Sequence, residues 1–281
     1  IPPKNMKYAV ADFSAIEARV ISWLANEKWR LDVFHGDGKI YEATGEKMFG
    51  VPKSEIKKGS VLRDKSKISE LALGYEGGLG ALKRMGGDKM GLSNVEMIGL
   101  VRKWRIANPA IVDMWKEIDE ASKEAVRYHR AVKCTSKNVI FDCDGEFMTI
   151  ELPVGRKLFY YKPEFKDKKI GRSSMPIRSL CYRGIDQTTK QWISIDTYGG
   201  KLTENIVQAV SRDLLADAML RMEKAGYGIV GSIHDEVITE VPEINAQEWY
   251  DNLVKIMSTP PSWAYDLPLN VDGGVMDFYQ K

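Results

Sequence analysis

Three neighbouring polar residues, His234, Asp235 and Glu236, interrupt an apolar stretch in the last quarter of the chain. Residues 228–233 before them have the composition of a buried strand, and an extended pattern resumes at Val237, which predicts a hairpin with acids at its tip. Adjacent carboxylates repel each other and are costly to remove from water, so a cation should compensate them, and a divalent metal is the strongest candidate. Taken alone, the motif is also typical of a polar hairpin tip that binds nothing, which is the common case.

A second acid that could share such a metal, Asp12, lies far upstream. Residues 7–11 predict a short strand that ends at Asp12, and Ser14 is the predicted N-cap of the helix that follows. A carboxylate at such a junction can ligate a metal, and a neighbouring main-chain carbonyl can add another oxygen ligand. A second helix cap is the alternative. Glu17 and Arg19 follow on the first turns of the helix, within reach of the junction.

A third segment with chemical potential is the helix predicted over residues 61–75. Arg63, Lys67, Leu71 and Tyr75 recur every four residues, so two cations and then an aliphatic and an aromatic side chain share one face. That order matches a triphosphate bound by the cations, with its base beneath the other two. A salt-bridged surface helix is the alternative interpretation.

The elements that must position these residues are helical in the first half of the chain and mixed in the second. Further helices are predicted over residues 40–49, 93–107, 110–128, 202–225 and 244–257. Further strands are predicted over residues 139–141, 147–150, 157–161 and 267–274. The sequence has no internal repeat or low-complexity linker, so domain boundaries must follow topology.

Composition bounds the function classes. The 281 residues are 44% hydrophobic, enough for a sizeable core, and 41 basic residues nearly balance 39 acidic ones. No stretch is apolar and long enough to span a bilayer, and no signal peptide opens the chain. Three cysteines without a paired spacing argue against a disulfide framework and predict a reducing compartment. Because the first residue is Ile1, a fragment or processed product is expected.

Local charge is more informative than total charge. Residues 154–178 carry eight basic side chains against two acidic ones. The basic residues are Arg156, Lys157, Lys162, Lys166, Lys168, Lys169, Arg172 and Arg178. Phe159, Tyr160, Tyr161 and Phe165 interleave with them, a mixture that suits a nucleic-acid backbone but is also typical of antiparallel edge strands.

Three separated segments together resemble the polymerase motifs of family A, the DNA polymerase I family, in order and spacing. The segments are Asp12-Phe13-Ser14-Ala15-Ile16-Glu17-Ala18-Arg19, Arg63-x3-Lys67-x7-Tyr75 and His234-Asp235-Glu236. Residues 198–213 resemble phage-encoded members most. Each motif alone is weakly specific, whereas the ordered set is strongly specific.

The resemblance implies an α+β fold with an antiparallel palm sheet and a helical fingers subdomain. Residues 1–35 would belong to the palm, residues 36–130 would form the fingers, and residues 131–281 would return to the palm with the long helix 202–225 and the acidic hairpin. The thumb and the 3′ to 5′ exonuclease of the family precede the first motif, so we expect them in a further part of the same polypeptide or in a separate one.

The resemblance also implies the reaction, which is addition of deoxynucleotides to a primer 3′ end on template DNA. Asp12 and Asp235 would hold two Mg²⁺ ions about 3.5–4 Å apart, with the carbonyl of Phe13 as a further ligand and Mn²⁺ as a substitute ion. One ion would activate the primer 3′-hydroxyl and the other would bind the leaving pyrophosphate. Glu236 would be an auxiliary acid, and His234 would help to place the primer end.

Further site residues follow from the same resemblance. Arg63 and Lys67 would bind the incoming triphosphate, and Lys67 is a candidate proton donor to pyrophosphate. Glu17 would exclude a ribose 2′-hydroxyl, and Tyr75 would guard the template-base position. Gln208 and Arg212 would be DNA contacts or members of a buried polar network. Arg156, from the basic segment, is a further candidate DNA contact.

The sequence departs from the family pattern at three positions. Leu71 stands where other members carry Phe or Tyr over the nucleotide. Tyr41 occupies the place of a phosphate-contacting His, and Glu76 stands where Gly follows the tyrosine.

Three alternative functions remain open from the sequence. A non-catalytic DNA-binding or scaffolding module would not require the paired acids. A two-metal nuclease or phosphatase would leave Arg63 and Lys67 without a role. A single-subunit RNA polymerase is disfavoured by Glu17. For the polymerase interpretation the expected location is the cytoplasm, that of a bacterial host if the chain is phage-encoded.

Overall fold

The computed structural model describes residues 1–168 and 177–280. The helices are α1 (Ile16–Ala25), α2 (Lys28–His35), α3 (Ile40–Phe49), α4 (Val61–Leu73), α5 (Leu79–Arg84), α6 (Asn94–Ala107), α7 (Pro109–Tyr128), α8 (Gly199–Lys224) and α9 (Ala246–Ser258). The strands are β1 (Met6–Phe13), β2 (Val132–Lys133), β3 (Ile140–Cys143), β4 (Phe147–Glu151), β5 (Lys157–Lys168), β6 (Ile177–Ile185), β7 (Trp192–Thr197), β8 (Gly228–Ile233), β9 (Glu236–Pro242) and β10 (Val271–Met276).

The first of two antiparallel sheets carries the acids. Its strand order is β10-β1-β9-β8, so β1 lies between the C-terminal strand and the hairpin. Ala9, Val10 and Ala11 of β1 are buried, as a central strand requires. The register pairs Asp12 with Glu236 across β1 and β9. This sheet of first strand and acidic hairpin agrees with the expected α+β class, which is confirmed.

The second sheet has six antiparallel strands in the order β2-β3-β4-β5-β6-β7. Helix α7 packs against β3 and β4 and also against α8. Helix α8 connects β7 of this sheet to β8 of the first sheet. Strand β5 continues well past residue 161, where the sequence pattern ends. A break in its register lies between Tyr161 and Glu164, and Lys162 there has a left-handed backbone with φ 45°.

The predicted helices and hairpin are confirmed with small shifts at their ends, but two local predictions are wrong. Ser14 does not cap α1, because the N-cap position is Ala15, with φ 52°. The backbone N–H of Ser14 instead donates to the Asn270 carbonyl at 2.9 Å, which ties the junction to the segment before β10. Tyr75 is not helical, because α4 ends at Leu73. The carbonyl of Gly74 accepts a hydrogen bond from the Trp115 indole at 2.9 Å, so the chain turns there.

The described residues include all three cysteines and most of the basic segment. Lys169 and Arg172 of the basic segment lie outside the described residues. No cysteine in the described part of the chain forms a disulfide. Across residues 1–168 and 177–280, no helix combines the length and apolar composition that crossing a bilayer requires.

Candidate functional site

The acids meet where β1 ends beside the β8–β9 hairpin. The hairpin turn consists of His234 and Asp235, and His234 adopts a left-handed backbone with φ 56°. The N–H of Phe13 donates to the carbonyl of Asp235 at 3.3 Å. Because Asp12 also pairs in register with Glu236, three acidic residues from two distant segments lie at one end of the sheet. The structure thus brings the predicted metal-binding residues together.

Glu236 is the most deeply buried of these acids, with 5% of its surface exposed. The Tyr279 hydroxyl donates to its carboxylate at 2.8 Å. This hydrogen bond, with partial burial and the charges of Glu236 and Asp12, raises the pKa of Tyr279. Tyr279 therefore remains a donor at neutral pH. Sequence reasoning missed this residue, since nothing in the last ten residues indicates a contact with the hairpin.

A cavity of about 240 Å³ adjoins the acids on the side of α4. Residues from both ends of the chain and from the helical half share its lining. The predicted site residues among them are Glu17, Tyr41, Leu71, Tyr75 and Asp235. Leu71 is half exposed and Tyr41 is partly buried. A space bordered by a carboxylate, an aliphatic side chain and two aromatic rings can hold a sugar and a base.

Glu17 forms the boundary between this cavity and a second one. Its carboxylate accepts from the Tyr75 hydroxyl at 2.7 Å and from the Gln208 amide at 2.7 Å, one oxygen to each. Burial and then the charge of Glu17 hold the pKa of Tyr75 well above its usual value. The three side chains come from α1, the turn after α4, and α8, so this bridge connects three elements.

The second cavity, of about 450 Å³, lies beneath α8 and the hairpin. Glu17 and Asp235 line this cavity as well as the first. The other predicted residues along it are Gln208, Arg212 and His234. Arg212 and His234 are exposed. Arg212 therefore faces this cavity as a cation beside the two carboxylates.

Arg63 and Lys67 lie on α4 towards its N-terminus, where the Ser60 hydroxyl accepts from the N–H of Arg63 at 3.3 Å. The Arg63 guanidinium donates to Glu42 at 2.6 Å and lies 5.5 Å from the centre of the Tyr41 ring. Lys67 is exposed. Neither cation lines the first cavity itself. Both lie on the same side of α4 as Leu71, nearer the N-terminus of the helix.

A buried ion pair that sequence reasoning missed supports the other side of the first cavity. Arg30 donates to both oxygens of Glu70, at 2.9 and 2.6 Å. Glu70 also accepts from the Thr44 hydroxyl and the Trp104 indole, each at 2.8 Å. The side chains of Arg30 and Glu70 are 1% and 4% exposed. Such a pair is tolerated only because its polar atoms are bonded on several sides. Forty residues of sequence separate the partners, so no periodic pattern could indicate them.

The departure from the family pattern at Glu76 has a structural explanation. Glu76 has a left-handed backbone with φ 62°, a conformation that favours glycine. Its carboxylate accepts from the N–H of Gly200 at 3.1 Å, at the first turn of α8. A Cβ on Gly200 would lie 2.6 Å from the Tyr75 carbonyl oxygen, so a glycine is needed there. The contact fixes the end of α4 against α8.

Two arginines of the sequence analysis have hydrogen-bond partners within the protein. Arg19, expected within reach of the strand junction, is 2% exposed. It donates to the carbonyls of Ser14 and Pro268 at 2.7 and 2.9 Å, and so it holds the junction from behind. Arg156 donates to the Asp213 carboxylate at 2.7 Å and to the Ala209 carbonyl at 3.1 Å on α8.

The acids also fit the ion that the resemblance implies. In residues 1–168 and 177–280 no three His, Cys, Asp or Glu side chains form a metal-binding cluster. Mg²⁺ sites commonly use one or two carboxylates, completed by main-chain oxygens, water and substrate phosphates. Asp12, Asp235 and the Phe13 carbonyl are a donor set of that type, with oxygen ligands throughout.

The chain is similar in sequence to proteins named DNA polymerase. No family model matches the chain. The DNA polymerase of Bacillus phage SP02 is 46% identical over 282 residues, covering 100% of this chain and 42% of that protein. DNA polymerase I of Pseudomonas aeruginosa is 24% identical over 275 residues, covering 98% of this chain and 25% of that protein. The chain thus spans less than half the length of these curated relatives.

The structural comparison agrees. The polymerase domain of Pol1 from M. smegmatis, in complex with DNA primer-template and dNTP, has a TM-score of 0.65 and 17% identity. It matches 98% of this chain and 40% of that chain. The chain therefore shares the fold of that polymerase domain. Together with the sequence relatives, this likeness confirms the resemblance of the chain to the polymerase region of the DNA polymerase I family, family A.

Proposed function

We propose that the chain is the catalytic core of a template-directed DNA polymerase that adds deoxynucleotides to a primer 3′ end. One observation carries the proposal. Glu17, Leu71, Tyr75 and Asp235, from three segments far apart in the sequence, line one cavity beside the acidic hairpin. The relatives named DNA polymerase support the reaction class.

The subdomain roles are part of this proposal. Residues 1–35 and 131–281 act as the palm, and residues 36–130 act as the fingers. The central position of β1 between β9 and β10 supports the palm role, because it holds Asp12 beside the hairpin. The thumb and exonuclease act from a further part of the same polypeptide or from a separate one.

In the proposed mechanism, the chain binds the triphosphate through α4. Arg63 exchanges its bond with Glu42 for phosphate oxygens, which accept the same donors with a higher charge. Lys67, which is exposed, adds a second cation and protonates the leaving pyrophosphate. Tyr41 remains against the Arg63 guanidinium and helps to orient it.

The same cavity selects the sugar and the base. Leu71 packs against the incoming base, and Tyr75 occupies the template-base position until the fingers close. Glu17 lies where a ribose 2′-hydroxyl would enter, and its two hydrogen bonds keep it there. Selection of deoxynucleotides therefore depends on a carboxylate fixed from two sides.

Asp12, Asp235 and the Phe13 carbonyl would hold two Mg²⁺ ions, or Mn²⁺ in their place. When bound, the ions supply Lewis acidity for in-line phosphoryl transfer. Glu236 acts as an auxiliary acid beside them, and the Tyr279 hydroxyl orients the Glu236 carboxylate. His234 places the primer end at the mouth of the second cavity, and Gln208 and Arg212 bind the DNA within it.

Arg156 extends the proposed DNA contact along α8, where its bonds with Asp213 and Ala209 keep it beside Gln208 and Arg212. The phage relative supports a role in phage replication in the cytoplasm of a bacterial host.

Primer extension tests the proposal. This chain and a longer polypeptide that includes its upstream region are incubated with a labelled primer-template and dNTPs, with and without Mg²⁺. Mg²⁺-dependent extension by the longer polypeptide is the expected result. DNA binding without extension at any Mg²⁺ or Mn²⁺ concentration would favour a non-catalytic binding module instead.

A further inference from the structure

The outer face of the six-stranded sheet carries a connected row of aromatic rings. Phe159 contacts Phe147 with ring centres 6.0 Å apart, Phe147 contacts Tyr161 at 5.2 Å, and Tyr161 contacts Trp192 at 6.1 Å. These four residues, here named the aromatic row, lie on β4, β5 and β7. The row crosses most of the width of the sheet.

The aromatic row faces away from the core. Met148 and Ile150, which alternate with Phe147 along β4, are fully buried against the helices. By contrast, Phe159 is 65% exposed and Trp192 is 58% exposed. A protein rarely leaves large rings side by side in water without a function, and connected exposed apolar patches are typical of binding surfaces.

Cations flank the row. The Lys162 ammonium lies 5.3 Å from the centre of the Tyr161 ring, and Arg183 is directly opposite Tyr161 in the register. Lys166 bonds Ser194 at 2.8 Å and also pairs with Glu164 at 2.8 Å.

The acids near the row do not block it. Glu164 also lies 3.9 Å from Arg183, and Glu151 lies 3.5 Å from Lys157. Solvent-exposed ion pairs of this kind are worth little, so a phosphate can replace the carboxylate. Exposed rings with cations between them match single-stranded nucleic acid, in which bases stack and phosphates remain outside.

The row is continuous with the proposed DNA-binding side of the molecule. Arg156, immediately before β5, bonds Ala209 and Asp213 of α8. Gln208 and Arg212, the neighbours of those two residues, line the second cavity. The path from the cavity across α8 thus leads to the start of the strand that carries Phe159 and Tyr161. This continuity favours DNA over a protein partner as the occupant.

We propose that the aromatic row binds the unpaired template strand by base stacking, at a site separate from both cavities. The inference rests on the proposed polymerase function, since it takes template DNA as the available single strand. Phe159 and Trp192 are the main stacking residues because they are the most exposed. Arg183 and Lys162 bind the adjoining phosphates.

The test compares primer-templates that differ only in the length of their template overhang. Fluorescence anisotropy measures the affinity for duplexes with a short or a long 5′ template overhang. The protein used is the longer polypeptide that includes the upstream region. Base stacking on one ring changes affinity by about 5-fold to 150-fold. The native protein should bind the long overhang at least about tenfold more tightly, and the double variant Phe159→Ala/Trp192→Ala should lose that preference.

Controls separate this result from other causes. Tyr265→Ala removes a ring that is 79% exposed but lies outside the row, and it should keep the overhang preference. Since Phe159 and Trp192 are largely exposed, their loss leaves no core cavity, and the thermal melting curve should be unchanged. Affinity and primer extension on the short overhang should also be unchanged.

Two outcomes would overturn the inference. One is a native protein with no overhang preference, which would point to a protein partner for the row. The other is a double variant that keeps the full preference. Failure of extension on every primer-template would instead count against the proposed function, because overhang binding is measured without catalysis.

Discussion

Replacing Glu17 by alanine should let the chain accept ribonucleotides. The Glu17 carboxylate is fixed by two hydrogen bonds of 2.7 Å, from Tyr75 and from Gln208. A 2′-hydroxyl can enter only if the carboxylate is displaced. A hydrogen bond to a charged group is worth about 1.5–3 kcal/mol, and partial exposure of Glu17 lowers that value. We therefore assign about 2–3 kcal/mol to the displacement of both bonds together, which corresponds to roughly 30-fold to 150-fold discrimination.

The assay measures kcat/KM for a dNTP and for the matching rNTP in single-nucleotide primer extension. Glu17→Ala should lower the dNTP preference by roughly 30-fold to 150-fold, mainly through a gain in rNTP use. Tyr75→Phe removes one of the two donors and should lower the preference by a smaller factor. Glu17→Gln, which keeps the size, is the matched control and should retain more of the preference than alanine does. An alanine variant whose preference stays within about threefold of the native value would refute the reasoning.

Three further predictions follow from the contacts around the cavity. Gly200→Ala should lower the free energy of unfolding by about 1–3 kcal/mol or more, measured as a lower urea midpoint, because the new Cβ would lie 2.6 Å from the Tyr75 carbonyl oxygen. Gly226→Ala is the control for the steric cause, because no atom lies near its new Cβ. The Gly226 variant carries only its own backbone strain, so an equal loss of folding stability in the two variants would contradict a steric clash at Gly200. Arg30→Ala should cost about 3–5 kcal/mol in chemical unfolding, because it leaves the buried Glu70 charge without its partner, whereas a loss below about 1 kcal/mol would show that the pair is dispensable. Because the pKa of Tyr75 is raised in the folded protein, its neutral side chain contributes to folding stability. This stabilisation is complete below the usual tyrosine pKa and is lost only as pH rises through the raised pKa. Ribonucleotide discrimination should therefore stay constant from about pH 7 to 9, and a decline within that window that Tyr75→Phe abolishes would contradict the assignment.

Patterns with a short period made the fold around the acids predictable. Alternating and apolar runs indicated β1 and the β8–β9 hairpin, and their pairing in one sheet places Asp12 opposite Glu236. The ordered motifs indicated that these segments meet. The four-residue spacing likewise placed Leu71 and Tyr75 on one side of α4, although Tyr75 itself lies beyond the end of the helix.

Contacts between residues remote in sequence were not predictable. Arg30 and Glu70 form their ion pair across two helices, and neither residue stands out locally. The wrong N-cap at Ser14 has a similar origin, because its backbone N–H is engaged by Asn270 from the other end of the chain. Tyr279 was missed for the same reason. Local helix and strand propensities cannot predict such partners, because tertiary packing determines which distant residues meet.

The central claim is that Asp12 and Asp235 act as one catalytic acid pair. The most direct measurement is nucleotide incorporation by Asp12→Asn and Asp235→Asn variants of a polypeptide that includes the upstream region, with DNA affinity measured in parallel. Each amide keeps the size of the side chain but removes the charge that holds a divalent ion. We predict that either variant loses incorporation by a factor on the order of 10³ or more while DNA binding is retained. Incorporation at near-native rates by either variant would contradict the account.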